Sequence, residues 1–286
     1  MINEHSKYYG PLMMLGAAIC FSGGGLAMKI VPWNALAING VRNMIACLVI
    51  ILYMRFSGHR LRINKTVIFG AICLAGVTTL FTMANKMTTA GNAIILQYAV
   101  PIWIIIMMYI FFQSKPSKLD LCTILVVLVG ILCFFIDSLS AGHILGDILA
   151  VLAGVFYGGV FIINQFEDGD ALSSVMLGQL ACGICLGPLV LKESDFSMPT
   201  IAAILFLGVV QVGIAYILFS EGTKYTHPVT ASLIDTVEPI LNPIWVAIFW
   251  GEVLKPLSLV GAAIVIIAVL LYNILKVRNT SQENNY

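Results

Sequence analysis

Long apolar runs separated by short polar breaks follow one another along the whole chain. A membrane-spanning helix needs about 20 mostly apolar residues. The runs that approach or exceed that length predict ten helices, at residues 10–31, 34–55, 66–86, 91–113, 119–137, 144–165, 171–191, 199–221, 228–250 and 256–276. Because the breaks are short, consecutive helices should be antiparallel neighbours. The pattern therefore predicts an all-α integral membrane fold of ten transmembrane helices.

Composition supports this prediction and excludes other classes of protein. Of the 286 residues, 60% are hydrophobic and 10% are charged, whereas a soluble domain carries roughly 25% charged residues. The mean hydropathy of +0.99 is too high for a single soluble core. The net charge is +1, and no basic run with interleaved aromatic residues follows, so we expect no nucleic-acid partner. The first apolar run lacks a cleavage-site pattern and is interpreted as a retained helix.

The seven cysteines all lie within apolar runs and are interpreted as small buried hydrophobic residues. Cys182 and Cys185 form a C-x-x-C pair, a spacing that also suits a metal or a redox site. There is no second pair and no nearby histidine, which favours a structural role. We therefore expect no metal ligand and no cofactor.

Basic residues indicate the orientation in the membrane, because cytoplasmic loops carry an excess of Lys and Arg. With both termini in the cytoplasm, ten basic residues lie on the inner side, including the cluster from Arg55 to Lys65. Five remain outside: Lys29, Arg42, Lys86, Lys192 and Lys255. The sequence thus predicts a multi-pass protein of the inner (cytoplasmic) membrane with both termini cytoplasmic.

The two halves of the chain resemble each other when they are offset by 138 positions. Lys86 then aligns with Lys224, Thr88 with Thr226, and Pro101 with Pro239, in a gapless overlay of 75–121 on 213–259. Each half, 1–138 and 139–286, contains five predicted helices, so the second half enters the membrane from the opposite side. Such inverted repeats are common in alternating-access transporters, which bind substrate near the midplane.

The predicted ninth helix contains two acidic residues at membrane depth, Asp235 and Glu238. Their spacing of three places them on one helix face, and Asn242 and Trp245 continue the same stripe. Two carboxyl groups one turn apart in a medium of low dielectric constant should not both ionise at neutral pH. The pair therefore predicts a proton-coupling or cation-binding site, with a structural hydrogen-bonded pair as the alternative.

Other polar and aromatic residues at membrane depth are candidates for the same site. Each of them alone is more often an interhelical contact than a ligand, and their convergence is a hypothesis. Aromatic rings there are suited to stacking on an aromatic or cationic solute. The full set of predicted substrate-binding residues is Gln97, Tyr98, Trp103, Tyr157, Asn164, Tyr216, Asp235, Glu238, Asn242 and Trp245.

Three further features have simpler interpretations. The run Ser22–Gly25 and the pair Gly158–Gly159 favour close helix packing, with hinge motion as the alternative. Arg42, near the outer end of the second span, is interpreted as snorkelling to the interface. Trp33 and Trp250 are assigned to the interfacial aromatic belt.

The chain resembles the EamA branch of the drug/metabolite transporter superfamily over almost its whole length. The resemblance rests on Ala231–Pro243 and Phe249–Glu252 in the second half, on Thr88–Ala93 and Val100–Pro101 in the first, and on Arg42. Gln113–Ser114 departs from the Gly-Glu of the family, and Asp235 replaces a small or apolar residue. The resemblance implies a central cavity and transport of small organic solutes, among them amino acids, nucleosides, amines and drugs.

We therefore expect a secondary transporter of small organic metabolites, in particular export of amino acids or related compounds, with protons as a possible coupling ion. Uptake of a cationic amine or drug suits the acidic pair and the aromatic residues equally well. An integral-membrane enzyme is a remote alternative, because neither G-x-S-x-G nor H-E-x-x-H occurs. We assign no catalytic residue, and the sequence leaves monomer and homodimer open.

Overall fold

The computed structural model describes residues 4–115, 117–141, 143–226, 234–235, 237–251 and 255–283, and within these ranges every regular element is helical. The α-helices are α1 (Glu4–Ser22), α2 (Gly24–Ile30), α3 (Ala35–Ser57), α4 (Lys65–Met87), α5 (Ala90–Gln97), α6 (Val100–Phe112), α7 (Lys118–Ala141), α8 (Ile144–Ile162), α9 (Ala171–Leu186), α10 (Met198–Leu205), α11 (Ala215–Tyr225), α12 (Val237–Trp250) and α13 (Pro256–Glu283). Short 3-10 segments, Ile163–Gln165 and Gly187–Lys192, follow α8 and α9, and a π-helical segment, Phe206–Ile214, joins α10 to α11.

The all-α prediction is confirmed for the described residues. Seven helical stretches in them are long and apolar enough to cross a membrane, and shorter apolar stretches lie within α7 (Leu121–Cys133), α12 (Val237–Trp250) and α13 (Pro256–Tyr272). The described helices begin and end close to the predicted spans; α3, for example, covers Ala35–Ser57. The beginning of the span predicted at 228–250 and the motif residue Glu252 lie outside the described residues.

Polar side chains begin the helices where the apolar pattern starts. The side-chain oxygens of Asn34, Asn64, Thr89 and Asp170 each accept a hydrogen bond from a backbone N–H in the first turn that follows. These bonds satisfy N–H groups that have no partner within the helix. At the other end of α3, Gly58 adopts a φ of 71°, which glycine tolerates without strain.

Two long helices are interrupted at membrane depth. Gly23 separates α1 from α2, and Tyr98–Ala99 separate α5 from α6. At the second break the Ala99 N–H donates to the carbonyl of Leu96, 3.2 Å away, instead of continuing the regular ladder. Pro101 follows in the first turn of α6, where its missing N–H costs little. The break places the Tyr98 side chain at the centre of the bundle.

Contacts between the helices fall into pairs. The most extensive join α4 to α8 and α9, α3 to α9 and the π-helical segment, α1 to α11, and α7 to α13. Glycines allow helices to approach each other closely, as the sequence predicted for Gly24 and Gly158. A Cβ atom added at Gly24 would lie 2.8 Å from Gln211 Nε2, and one at Gly158 would lie 3.1 Å from Trp103 Cβ.

Loops tie the helices together at both ends of α3. At its beginning, the Trp33 indole donates to the carbonyl of Asp195, 2.6 Å away, and the Asn34 N–H donates to Glu193, 2.9 Å away. Trp33 is buried, so its assignment to an interfacial belt is wrong, whereas Trp250 is half exposed. At the opposite end, His59 contacts Asp170 at 2.9 Å.

Candidate functional site

The two predicted acidic residues are buried together at the centre of the bundle. Asp235 is 1% exposed and Glu238 is 6% exposed. The Tyr98 hydroxyl lies 2.8 Å from Asp235 Oδ2, 2.9 Å from Glu238 Oε2 and 3.0 Å from the backbone carbonyl of Asp235. Tyr157 Oη lies 3.3 Å from the same Oδ2 atom. Each charge at the centre of a membrane helix costs roughly 2.5–3.5 kcal/mol on insertion scales, so such a pair is expected to serve a function.

Two local features hold the tyrosines in place. Tyr98 caps the C-terminus of α5 at the break described above. Tyr157 lies on α8, with its ring edge-on to Tyr98 at 6.4 Å and to Phe161 at 4.8 Å between ring centroids. Edge-to-face contacts of this kind favour one ring orientation. Both hydroxyls are therefore aimed at the carboxyl groups.

The hydrogen bonds around Asp235 and Glu238 can accommodate one proton shared by the two carboxyl groups. A phenol has a single hydrogen to donate and two acceptor lone pairs. If Tyr98 donates to one carboxylate, the other carboxyl group can bond to it only by carrying a proton and donating it to the phenol oxygen. Asp235 Oδ1 is buried and has no hydrogen-bond partner among the described residues. The arrangement is thus suited to a shared proton or to a cationic group.

A small internal cavity adjoins Glu238. Counted as space for the centre of a water molecule, its volume is about 30 Å³, enough for about two waters. This volume is too small for an organic solute. Its lining residues are Phe21, Arg42, Val77, Thr78, Phe81, Gln97, Tyr157, Gln211, Val212, Tyr216 and Glu238.

Arg42 also faces this cavity, which corrects the prediction that its side chain snorkels to the interface. It is 2% exposed. Its guanidinium donates to Thr82 Oγ1 at 2.6 Å, to the Thr78 carbonyl at 3.1 Å, and to Asn39 Oδ1 and Gln211 Oε1, both at 3.2 Å. All four acceptors are neutral. The stripe Asn39–Arg42–Asn43 on one helix face was the signal in the sequence that could have indicated burial.

The other predicted residues lie in three different surroundings. Gln97 and Tyr216 are buried and line the central cavity with Tyr157. Asn242 is fully buried beside Gly25. Trp103 packs on Gly158, and Asn164 is exposed and donates to Thr223 at 3.3 Å, so neither lies at the cavity.

Trp245 lies between the site and a second, apolar cavity. Its indole donates to Ser22 Oγ at 3.1 Å, at the break between α1 and α2. The ring lines a groove of about 640 Å³ with residues of α1, α2, α10 and the π-helical segment, such as Leu26 and Phe206. Trp245 is therefore near the acidic pair along the chain but faces a different cavity.

No group of three or more potential metal-ligating side chains occurs within the described ranges. Cys182 is buried, with its sulfur 3.7 Å from Thr78 Oγ1, whereas Cys185 is exposed. The two thiols thus point into different surroundings, which agrees with a structural role for the C-x-x-C pair.

A bundle of long apolar helices around a buried, charged cavity is the architecture of a multi-pass membrane transporter. Comparison with known proteins agrees, since the profile of the EamA-like transporter family matches residues 8–136 and again 144–274. The chain belongs to the EamA-like transporter family, and transport is the function that this family and its transporter-named relatives indicate, rather than enzyme catalysis.

Among the relatives is the uncharacterized transporter YwfM of Bacillus subtilis, 25% identical over 214 residues that cover 71% of each chain. An uncharacterized transporter of Archaeoglobus fulgidus is 23% identical over 195 residues, 67% of this chain and 70% of that one. A solved crystal structure superimposes with a TM-score of 0.67 over 94% of this chain and 98% of the other, at 16% identity. At that identity the likeness establishes the fold alone.

Proposed function

We propose that this protein is a secondary transporter that exports amino acids or related small metabolites, with Asp235 and Glu238 as its proton-coupling and ammonium-binding groups. The observation that carries the proposal is the buried pair of carboxyl groups joined by the Tyr98 hydroxyl beside a small central cavity. The substrate-binding residues would be those predicted above that line the cavity or contact the pair. The proposal includes no catalytic residue, metal or cofactor.

Alternating access in this proposal uses two inverted repeats, 1–138 and 139–286. The pairing of helices supports it. The contact of α4 with α8 has a counterpart in that of α11 with α1, and the contact of α4 with α9 has one in that of the π-helical segment with α3. Likewise α6 packs on α8 as α12 packs on α1. A two-fold relation between the halves would produce such matched contacts.

Proton coupling is supported by the geometry around Tyr98. Only one of the two carboxyl groups can receive its hydrogen, so a bound proton completes the hydrogen bonds when no substrate ammonium is present. Arrival of an ammonium would replace that proton. Such competition for one site is a simple way to couple two solutes moving in opposite directions.

The experiment uses purified protein in proteoliposomes. We first identify a substrate by its effect on thermal stability, since a ligand that binds only the folded protein raises the melting temperature; the panel contains amino acids, amines, nucleosides and aromatic drugs. Asp235→Asn should then abolish uptake driven by a pH gradient and leave substrate exchange intact. Glu238→Gln is the matched control that shows which carboxyl carries the proton. Unchanged gradient-driven uptake in both variants would remove proton coupling from the proposal.

Uptake of a cationic amine is the second candidate function. The same carboxyl pair and the rings of Tyr98 and Tyr157 are suited to an organic cation without a carboxylate. Stabilisation of the protein by amines alone in the panel would favour this candidate. The remote alternative of a membrane enzyme is less consistent with the family and with relatives that are named transporters.

The proposed setting is the inner (cytoplasmic) membrane, with both termini in the cytoplasm and the loop from Arg55 to Lys65 on the inner side. The apolar helices and the family are consistent with a multi-pass membrane location. Lipid and a small-molecule substrate are the proposed partners, in a monomer or a homodimer.

A further inference from the structure

The central cavity contains a second charged group whose role the acidic pair does not explain. Arg42 lies about two turns inside α3 and is almost fully buried. Its hydrogen bonds go to the neutral oxygens of Asn39, Thr78, Thr82 and Gln211. These bonds satisfy its N–H groups but leave its positive charge without a partner of opposite sign.

Opposite charges therefore face each other across one small cavity. Arg42 and Glu238 both line it, yet no ion pair within 4.0 Å joins Arg42 to Glu238 or Asp235 in the described part of the chain. If the role of Arg42 were only to neutralise the acidic pair, direct contact would be expected. A charge that is buried without a counter-ion is costly, so the separation suggests a ligand that completes both ends.

We infer that Arg42 binds the carboxylate of the transported solute, whose ammonium group lies at the Asp235–Glu238 pair. The inference rests on the proposed function for the ammonium end and adds a subsite that requires a zwitterion. A guanidinium presents parallel N–H groups that match a carboxylate in a two-point contact. The substrate class is accordingly an α-amino acid or a compound with the same two groups, not a simple amine.

The residues around Arg42 hold its guanidinium group in one orientation. Asn39 accepts from Arg42 and is itself held by Asn43, which donates to Asn39 Oδ1 at 2.8 Å. On the opposite side, Gln211 lies in the π-helical segment and supplies a single neutral acceptor. A substrate carboxylate can replace Gln211 Oε1 at this position while the contacts to Thr78 and Thr82 stay in place. Gln211 would thus give up its hydrogen bond to Arg42 when the substrate binds.

The test measures binding of matched ligand pairs to the intact wild-type protein. The probes are the proteinogenic L-amino acids, each compared with its own carboxamide, which keeps the ammonium and side chain but lacks the carboxylate. Apparent affinities come from melting temperature against ligand concentration. We expect at least about a tenfold preference for the acid, equivalent to about 1.4 kcal/mol. Equal affinity of acid and carboxamide would overturn the inference and leave the amine transporter standing.

Variants then test whether Arg42 causes the preference for the acid over the carboxamide. Arg42→Gln should reduce the acid-to-carboxamide ratio to about one, while Asp235→Asn should weaken both ligands and preserve the ratio. Arg42→Lys, which keeps the charge but not the fork, should give an intermediate ratio and serves if Arg42→Gln does not fold. A ratio that Arg42→Lys leaves at the wild-type value would overturn the role of the fork. If no amino acid, carboxamide or amine stabilises the wild type, both this inference and the proposed function fail.

Discussion

Among the described residues, the Tyr98 hydroxyl is the one group that is hydrogen-bonded to both buried carboxyl groups. It reaches them because α5 ends at Gln97 and turns the next side chain inward. A hydrogen bond to a charged group is worth about 1.5–3 kcal/mol. The effect of removing this one oxygen therefore reports directly on the site.

Tyr98→Phe is expected to lower the melting temperature and to impair transport driven by a pH gradient. The ring remains, so packing against Tyr157 is preserved and the loss comes from the hydroxyl alone. Scanning fluorimetry and proteoliposome flux measure the two effects. Tyr109→Phe is the matched control, because Tyr109 is 49% exposed on α6. Equal behaviour of the two variants would contradict the assigned role of Tyr98.

Among individual residues, the sequence predicted the acidic pair but not the position of Arg42, because a sequence does not show which helices surround a residue. Asp235 and Glu238 stand out as charges in an apolar run with a helical spacing. The depth of a residue along its own helix does not reveal which helices surround it, so Arg42 was assigned to the interface. The same lack of interhelical information placed Trp103 and Asn164 in the predicted site, although the structure locates them elsewhere.

Among the helices, α3 and α9 approach each other closely at a glycine. A Cβ atom at Gly40 would meet the backbone of Leu186 and Gly187, which cannot move aside as a side chain can. Gly187 has nothing within 4 Å of its own Cβ position and has a helical φ of −54°. The two glycines thus differ in packing but lie at the same junction.

Gly40→Ala is expected to destabilise the protein by about 1–3 kcal/mol, the usual range for overpacking. Gly187→Ala should leave the melting temperature unchanged or slightly raised, because alanine is the better helix former. Both are measured by scanning fluorimetry in the same detergent. A Gly40→Ala protein as stable as Gly187→Ala would mean that α3 and α9 are packed more loosely than described.

The helices themselves were largely predictable, whereas their irregularities were not. Apolar runs and capping residues such as Asn64 and Asp170 mark where helices begin. The π-helical segment Phe206–Ile214 has the same apolar composition as a regular helix, so hydropathy gives no sign of it. Gln211, which accepts a hydrogen bond from Arg42, lies within this π-helical segment. Tertiary contacts, which are absent from a single sequence, determine such a segment.

The loop between α3 and α4 is held to the beginning of α9 by Asp170. Burial acts to raise the pKa of this carboxyl group, but hydrogen bonds from the Ser173 N–H and hydroxyl and from His59 lower it below its ordinary value. A lowered pKa means that the ionised form stabilises the folded state. That contribution is present above the ordinary pKa of about 3.9 and is lost as pH falls through the lower folded value.

Asp170→Asn should therefore lower the melting temperature at pH 7, and the difference from wild type should shrink as pH falls from about 5 to below 3. Scanning fluorimetry across that range checks the sign. Glu167→Gln, at an exposed neighbour in the same loop, is the control and should show no such convergence. A difference that is constant with pH would show that Asp170 acts through shape and not through its charge.

At the scale of the whole molecule, hydrogen bonds between loops at the two ends of α3 bear on access to the cavity. One end is held by Trp33 with Asp195 and by Asn34 with Glu193, the other by His59 with Asp170. Since the cavity between them is too small for a solute, either end must open for transport. Alternating access would break the hydrogen bonds at one end of α3 at a time. The orientation in the membrane decides which end faces the cytoplasm.

Cysteine labelling in intact cells tests the orientation. Ser57→Cys lies at the end of α3 next to the basic loop, and Ser194→Cys lies beside Trp33's partner Asp195 at the opposite end; both positions are exposed. An excess of basic residues near Ser57 predicts that this end is cytoplasmic. An impermeant thiol reagent should then label Ser194→Cys in intact cells and Ser57→Cys only after permeabilisation.

The wild-type protein, whose Cys122 and Cys185 are exposed, sets the background labelling. The reverse pattern would invert the topology, place the His59–Asp170 contact on the outer side, and reverse the direction of proton movement through the protein that the proposed coupling implies.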